Sequence, residues 1–339
     1  MVSYLQRKTY SGNMEDLGLH IGAVFIIFVV SAAGTLVPFI SKKIPESETS
    51  AITMEAIRVF SFGVVLATGL IHMINEGIEK LSDEALGSIV EEYGCMGLAF
   101  VLLTVVLMHF IECESVVFFG SQGPTLHGHR HSHSFELQHD HHARNSEDSV
   151  RDPSSTPSGD FRVLSPKEKM SKETDQDHNI HRKIATLIFE AGVIFHSVIV
   201  GLDLGVSTGT EFKTLLTALC FHQFFEGIAI GSAAINSMTS GRKLMMINFA
   251  FAITTPIGQV IGIGIRNSYS SESTTALWVQ GIFDCVAGGI LLYTGLIELL
   301  TYNMTTNQKF LTRSASHRFL LYLCLWSGAG LMALLGKWA

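Results

Sequence analysis

Charged residues are scarce in this sequence. Lys, Arg, Asp and Glu together make up 16% of the 339 residues, whereas hydrophobic residues make up 47%. Soluble domains usually contain about 25% charged residues, and the mean hydropathy of this chain is positive. The composition therefore argues against a soluble protein of two ordinary domains and favours a chain that crosses a membrane several times.

Cysteine is also scarce, and its five residues stand singly, at positions 95, 113, 220, 285 and 324. They form no C-x-x-C pair and show no disulfide spacing, so we interpret them as small buried hydrophobic residues. The sequence also lacks a G-x-x-x-x-G-K-[ST] phosphate loop. Its net charge of -7 reflects acidic connections and gives no sign of a nucleic-acid partner.

Long hydrophobic runs are what the sequence has instead. A helix that crosses about 30 Å of hydrocarbon needs roughly 20 residues, and eight runs reach this length. They lie at about 19–40, 53–77, 94–119, 183–209, 213–236, 243–266, 276–300 and 317–337. The predicted fold class is all-α: a polytopic membrane protein with eight transmembrane helices, three before and five after a long polar loop.

The basic residues of the connections predict the orientation of these helices. The second, fourth and sixth connections contain few of them. The odd connections contain more, including Lys42, Lys43, Arg242, Lys243, Lys309, Arg313 and Arg318. Odd connections should therefore face the cytosol, and both termini the outside or lumen. We expect the plasma membrane, with an endomembrane as the alternative, and we leave open whether the chain forms a homodimer in the lipid.

The third connection differs from the others in composition. Residues 120–182 are rich in His, Ser, Asp, Glu, Lys and Pro, too polar to bury a core, and predict a disordered cytosolic loop. This loop separates the helices at 183–337 from the earlier part of the chain. That earlier part consists of a tail at 1–18 and helices at 19–119. Seven histidines of the loop can chelate metal; a linker without function is the alternative. They are His127, His129, His131, His133, His139, His141 and His142.

Ionisable residues also occur inside the predicted spans, where each costs on the order of 2.5 to 3.5 kcal/mol. Those of the fourth and fifth runs are Glu190, His196, Asp203, His222 and Glu226, together with the polar Ser197 and Gln223. The two runs form a hairpin whose midpoints lie near residues 196 and 224, and residues four apart share a helical face. This pattern predicts a site for a divalent cation such as Zn²⁺. A purely structural hydrogen-bond network is the alternative.

Glycines accompany this pattern at positions 201, 205, 227 and 231. We expect them to let the fourth and fifth helices approach closely.

Weaker signals lie in other spans. His72 and Glu76 are four apart near the outer end of the second run, at a metal entrance or merely at the membrane interface. A further group of polar residues marks either an exit path or ordinary helix ends. It consists of His109, Glu112, Glu114 and Glu298. Thr255 precedes Pro256 in the sixth run, where the missing N–H loosens the helix and suits a pathway wall.

Two of these stretches, HSVIVGLDLG and FHQFFEGIAIG, resemble the signature of the ZIP (Zrt-, Irt-like) family of divalent metal transporters. The resemblance extends to VLATGLIHM, TTPIGQVIG and GGILLYTGLIELL, and points to the fungal plasma-membrane zinc-uptake branch. It implies a metal path with His196, Ser197, Gln223 and Glu226 at binding positions. Val200 and Gln223 stand where some relatives carry acidic residues, so we expect one principal site rather than a charged two-metal centre.

We therefore predict a transporter that takes Zn²⁺ into the cytosol by alternating access, with helices 1, 4, 5 and 6 moving against the rest, as the family resemblance implies. The sequence leaves Fe²⁺, Mn²⁺ and Cd²⁺ open as substrates. No prosthetic group is expected, and the partners are divalent metal ions and membrane lipid. The main alternative is an intramembrane metal-dependent hydrolase, although HQFFE lacks the H-E-x-x-H pattern. A receptor with an extra helix is the third interpretation.

Overall fold

A computed structural model describes residues 2–42, 48–88, 92–120, 166–237, 240–266 and 273–337. The described residues contain helices and no strand, and eight helices are long and apolar enough to cross a membrane. The all-α prediction with eight spans is confirmed. Six of them are single helices: α1 (Val2–Ser41), α3 (Met96–Gly120), α4 (Pro166–Val206), α5 (Gly209–Ser237), α6 (Gly241–Ile265) and α8 (Ala315–Leu335).

The other two spans change helical type along their length. Helix α2 runs through Glu48–Ala67, a π-helical segment Thr68–Ile74, and Asn75–Lys80. Helix α7 runs through Thr274–Thr294 and a π-helical segment Gly295–Thr305. Short turns at Glu84–Leu86 and Gln308–Leu311 lie in the connections. π-Helical segments often occur at functional positions, and these two contain His72 and Glu298.

The ends of two helices differ from the prediction. Helix α1 begins at Val2, whereas its apolar, membrane-spanning part begins at Leu17, so most of the expected tail is helical. Helix α4 begins at Pro166, so residues 166–182, which we predicted to be disordered, are helical. The reason is that polarity prevents core burial but not helix formation: proline suits a first helical position, and Lys, Glu and Gln are good helix formers. His127 to His142 lie outside the described residues.

Glycines determine which helices approach closely, and here one prediction is wrong. Gly201 and Gly205 of α4 pack on the backbone of α6, at Thr255 and Gln259. The reason is that α6 offers a matching stripe, Gly258 and Gly262, which fits against α4 in turn. Helices α4 and α6 therefore form the most extensive helix pair among the described elements.

The glycines of α5 face a third helix. Gly227 and Gly231 meet Gly34 and Thr35 of α1, not α4. Because neither glycine stripe lies between α4 and α5, space remains between those two helices.

A buried apolar cluster fills one half of the bundle. Its members include Phe189 and Val193 of α4, Ala229 and Ile230 of α5, and Phe251 of α6. By their positions along the helices, they lie towards the end of the bundle that carries the α5–α6 connection, which we call the α5–α6 end. The opposite end, with the short α4–α5 connection, we call the α4–α5 end.

Candidate metal site and its access cavity

Three buried side chains from α4 and α5 converge at mid-depth. His196, His222 and Glu226 each offer one ligand atom, and these atoms all lie within 4.8 Å of one another. His196 lies about 15 Å before the end of α4 and His222 about 20 Å after the start of α5. Gly209, whose φ is 63°, allows the chain to reverse between them in a short connection. The hairpin predicted from the sequence thus brings the three residues together.

The polar atoms of this cluster have no hydrogen-bond partners among the described residues. Both ring nitrogens of His196 and of His222 and both carboxylate oxygens of Glu226 are buried and unpaired. The structural alternative, in which His196 hydrogen-bonds Glu226, is therefore not what this structure contains. Buried polar groups are normally paired, and an unpaired buried carboxylate is costly, so these atoms are suited to a ligand that supplies positive charge.

Three further polar groups nearby are unpaired within the described part of the chain. The Ser197 hydroxyl, both amide atoms of Gln223 and the Thr255 hydroxyl are buried without hydrogen bonds. Ser197 and Gln223 each adjoin a histidine of the cluster in sequence, and Thr255 contacts α4 through its carbonyl at Gly201. As candidate metal ligands, these groups offer neutral oxygen and nitrogen atoms in addition to the three clustered side chains.

The spacing of the cluster suits a small divalent cation after modest adjustment. Zn²⁺ binds nitrogen and oxygen at about 2.1 Å, so ligand atoms in a tetrahedral site lie about 3.4 Å apart. The observed atoms lie within 4.8 Å of one another, so binding zinc would bring them closer by at most about 1.4 Å. Imidazole and carboxylate together suit zinc and several other transition metals.

A cavity of about 600 Å³ leads to the cluster. His196 and His222 form part of its wall, and Ser207, Thr208 and Arg266 line it near the α4–α5 end. Val200 also lines it. On the other side of the cluster lies the apolar core. The site is thus accessible from the α4–α5 end and closed by hydrophobic packing towards the α5–α6 end.

The structure places His72 and Glu76 in the cavity wall. The His72 ring centroid lies 5.8 Å from that of His222, and His72 Nδ1 lies 3.7 Å from Glu76 Oε1. His72 Nε2 is buried and has no hydrogen bond within the described residues. His72 and Glu76 thus line the cavity beside His222, and their part in a metal entrance stays a prediction.

Asp203 lines the same cavity rather than joining the three-ligand cluster. Its Oδ1 accepts a hydrogen bond of 2.7 Å from the Gln280 amide of α7. Across the cavity wall, Lys80 and Asp284 form an ion pair of 2.7 Å. The acidic surface of the cavity is therefore built from several helices.

The remaining predicted pathway residues lie away from the cavity. Glu190 is buried six residues before His196, towards the α5–α6 end, and Glu298 lies in the π-helical part of α7. His109 Nδ1 lies 3.1 Å from the Tyr293 hydroxyl, which donates a hydrogen bond to Glu112, whereas Glu114 is exposed. These residues do not converge with the cluster of His196, His222 and Glu226, and their role in an exit path stays a prediction.

Sequence reasoning overlooked two cavity residues, Gln280 and Asp284. They are four apart within the seventh run, and Asp284 is an ionisable group inside a span, so the rule that singled out Glu226 was available for it. Lys80 lies beyond the second predicted run at 53–77, so the prediction did not place it inside a span. In the structure it lies in the last turn of α2 with its side chain in the cavity wall.

Comparison with known proteins identifies the family of the chain. The family model of the ZIP zinc transporters matches residues 17–336. The chain belongs to the ZIP zinc transporter family. This ZIP chain is 35% identical to Zinc-regulated transporter 1 of Saccharomyces cerevisiae, over 99% of the chain and 90% of that protein.

Other relatives of this ZIP chain come from fission yeast and plants. Zinc-regulated transporter 1 of Schizosaccharomyces pombe is 32% identical over 95% of the chain and 86% of that protein. Zinc transporter 3 of Arabidopsis thaliana is 30% identical over 94% of the chain and 84% of that protein. Family membership points to a transporter rather than an enzyme, and its eight apolar helices make this a multi-pass membrane protein.

Proposed function

We propose that this protein carries Zn²⁺ through the membrane into the cytosol, binding it at His196, His222 and Glu226. One observation carries this proposal above the others: these three ligands are buried, unpaired and close together at the inner end of a polar cavity. A site that only stabilised the fold would leave its polar groups paired. Ser197, Gln223 and Thr255 are proposed as supporting donors.

The direction of transport follows from the charge of the connections. The α5–α6 end carries Arg242 and Lys243, and the chain from the end of α7 into the first turn of α8 is also basic, at Lys309, Arg313 and Arg318. By the positive-inside rule this end faces the cytosol. The cavity then opens to the outside or lumen, and the apolar core closes the cytosolic side. This is the outward-facing state of an alternating-access cycle, with the plasma membrane as the proposed location.

Transport requires only that the protein binds the ion, exchanges the water around it for protein ligands, and releases it. Neutral imidazoles and the Glu226 carboxylate replace the water around the ion, and the dication offsets the cost of the buried carboxylate. Movement of the helices that carry the ligands then has to open the packing around Phe189, Val193 and Ile230 towards the cytosol. In a cell about 100 mV negative inside, each charge moving inward gains roughly 2.3 kcal/mol, which drives this direction.

Zinc is the proposed substrate because the curated relatives are named for zinc and because the ligand set suits it. The same ligands also suit Fe²⁺, Mn²⁺ and Cd²⁺, and competition by each metal against radioactive Zn²⁺ uptake ranks them. The hydrolase alternative gains no support from these relatives.

The test is uptake of radioactive Zn²⁺ by cells or proteoliposomes with wild-type protein and the Glu226→Ala and His196→Ala variants. Both variants should lose uptake while reaching the membrane in normal amounts. Glu92→Ala is a matched control, because Glu92 is an exposed carboxylate in the connection between α2 and α3, outside the cavity lining. Near-normal uptake by either site variant would overturn the assignment of the site.

A further inference from the structure

Lys80 is a fixed positive charge inside a cavity that we propose admits a dication. Its side chain is 21% exposed, and its Nζ lies 2.7 Å from Asp284 Oδ2 of α7. Glu76, one helical turn before it, places Oε2 3.7 Å from the same nitrogen. The ammonium therefore occupies a position between carboxylates that would otherwise attract a metal ion.

The other charged residues of the cavity wall determine the electrostatic effect of Lys80. Asp203 lines the same cavity as Lys80, and the Gln280 amide holds the Asp203 carboxylate in place through its 2.7 Å hydrogen bond. In all, four carboxylates and two basic side chains line the cavity. They are Glu76, Asp203, Glu211 and Asp284, against Lys80 and Arg266. With every carboxylate ionised the lining carries a formal charge of two negative, which a single dication neutralises.

We propose that Lys80 acts as a tethered competitor cation that makes this cavity selective for divalent over monovalent ions. An entering ion has to displace Nζ from Asp284 and Glu76. A monovalent ion that does so exchanges one positive charge for another, and the tethered ammonium has the advantage of a high effective concentration. A dication brings one more charge than it displaces, so only the dication gains electrostatically.

This inference rests on the proposed transport function and adds a specificity-determining residue upstream of the metal cluster. Lys80 is not a metal ligand, and its effect is exerted on the ion before it reaches His196 and His222. Removing its charge should therefore change how tightly the cavity attracts cations of any valence. It should leave the three-ligand site in place.

The experiment measures the half-saturation concentration of radioactive Zn²⁺ uptake in proteoliposomes, without and with excess external K⁺. Lys80→Met should lower the half-saturation concentration about tenfold without K⁺, the size expected for removing one charge about 6 Å from a dication in a water-like medium. Potassium should inhibit Lys80→Met and have little effect on the wild type. Lys80→Arg, which keeps the charge, should restore wild-type behaviour in both respects.

Two further variants make the result decisive. Lys213→Met removes an exposed lysine of α5 at the same end of the bundle, outside the cavity lining, and should change neither quantity. Lys80→Gln keeps a hydrogen-bonding group for Asp284 without the charge, so it should behave like Lys80→Met and replaces it if that variant does not reach the membrane.

An unchanged or higher half-saturation concentration in both neutral variants, or K⁺ inhibition no greater than that of the wild type, would overturn the role of Lys80. Failure of the proposed function looks different, because Glu226→Ala would then retain zinc uptake.

Discussion

The imidazole rings of His196 and His222 lie with their centroids 5.8 Å apart, although they belong to different helices. The ring centroid of His72 also lies 5.8 Å from that of His222. Three histidines from α2, α4 and α5 thus form a row, of which only two belong to the three-ligand cluster. The row connects the cavity wall to the proposed transport site.

His72 should therefore assist binding without being essential for it. We expect His72→Ala to raise the half-saturation concentration for zinc about tenfold, a typical effect of removing a group just outside a metal's ligands. The maximal rate should remain, unlike in His196→Ala. Initial uptake rates over a range of Zn²⁺ concentrations check this. Complete loss of uptake at saturating Zn²⁺ in a correctly localised variant would make His72 a principal ligand instead.

The close contact between α4 and α6 gives a prediction about stability. A side chain at Gly258 would meet the backbone of Val198, whereas nothing lies within 4 Å of a Cβ at Gly264 on the same helix. Gly258→Leu should destabilise the protein by about 1 to 3 kcal/mol or more, as overpacking does, and Gly264→Leu should have little effect. Thermal unfolding of both purified variants in one detergent measures the difference. Equal stability of the two would show that this helix pair is not tightly packed.

The sequence predicted the spans and the central cluster because both depend on local patterns. Hydrophobic run length determines which segments cross the membrane, and a four-residue spacing places His222 and Glu226 on one face. The short hairpin then sets His196 at a similar depth. None of these steps needs knowledge of which distant helices touch.

The partners of the glycines could not be predicted in the same way. A small-residue stripe indicates a close helix contact, but several helices carry one, and the stripe of α4 fits that of α6 rather than α5. The side-chain pairs of the cavity wall could not be predicted either. Lys80 and Asp284 are 204 residues apart in sequence, and no local pattern pairs them.

The histidine-rich segment gives a prediction that the described residues do not test. Deleting residues Leu126 to His142 should leave zinc uptake working, because the segment lies outside the eight spans. Its effect should appear in metal sensing, turnover or release at the cytosolic face. A Gly/Ser linker of equal length in its place is the control for loop length, and uptake by surface-expressed protein is the measurement. Loss of uptake in both proteins would give the segment an essential transport role.

The energy source of transport is the subject of the next prediction. A dication that enters a cell about 100 mV negative inside gains about 4.6 kcal/mol from the voltage alone, and the sequence has no phosphate loop for ATP. Uptake should therefore continue after ATP depletion if the voltage is held. Vesicle flux at clamped voltage, with and without ATP inside, tests this. Strict dependence on ATP would end the interpretation as facilitated transport.

Acidity should weaken zinc uptake through competition between protons and metal. Imidazole and carboxylate bind metal only after losing their protons. Protons therefore compete with Zn²⁺ for these ligand atoms more strongly as the external pH falls from about 7 to 5. We expect uptake at subsaturating zinc to fall over this range.

The same vesicles provide the control for this last prediction. Saturating zinc should restore most of the rate at low pH, because competition changes the half-saturation concentration more than the maximal rate. The measurement is therefore a pair of pH profiles, at subsaturating and saturating free Zn²⁺, with the voltage clamped. A fall of equal size in both profiles would place the titrating group in a transport step rather than in metal binding. Faster uptake on external acidification would indicate import coupled to protons.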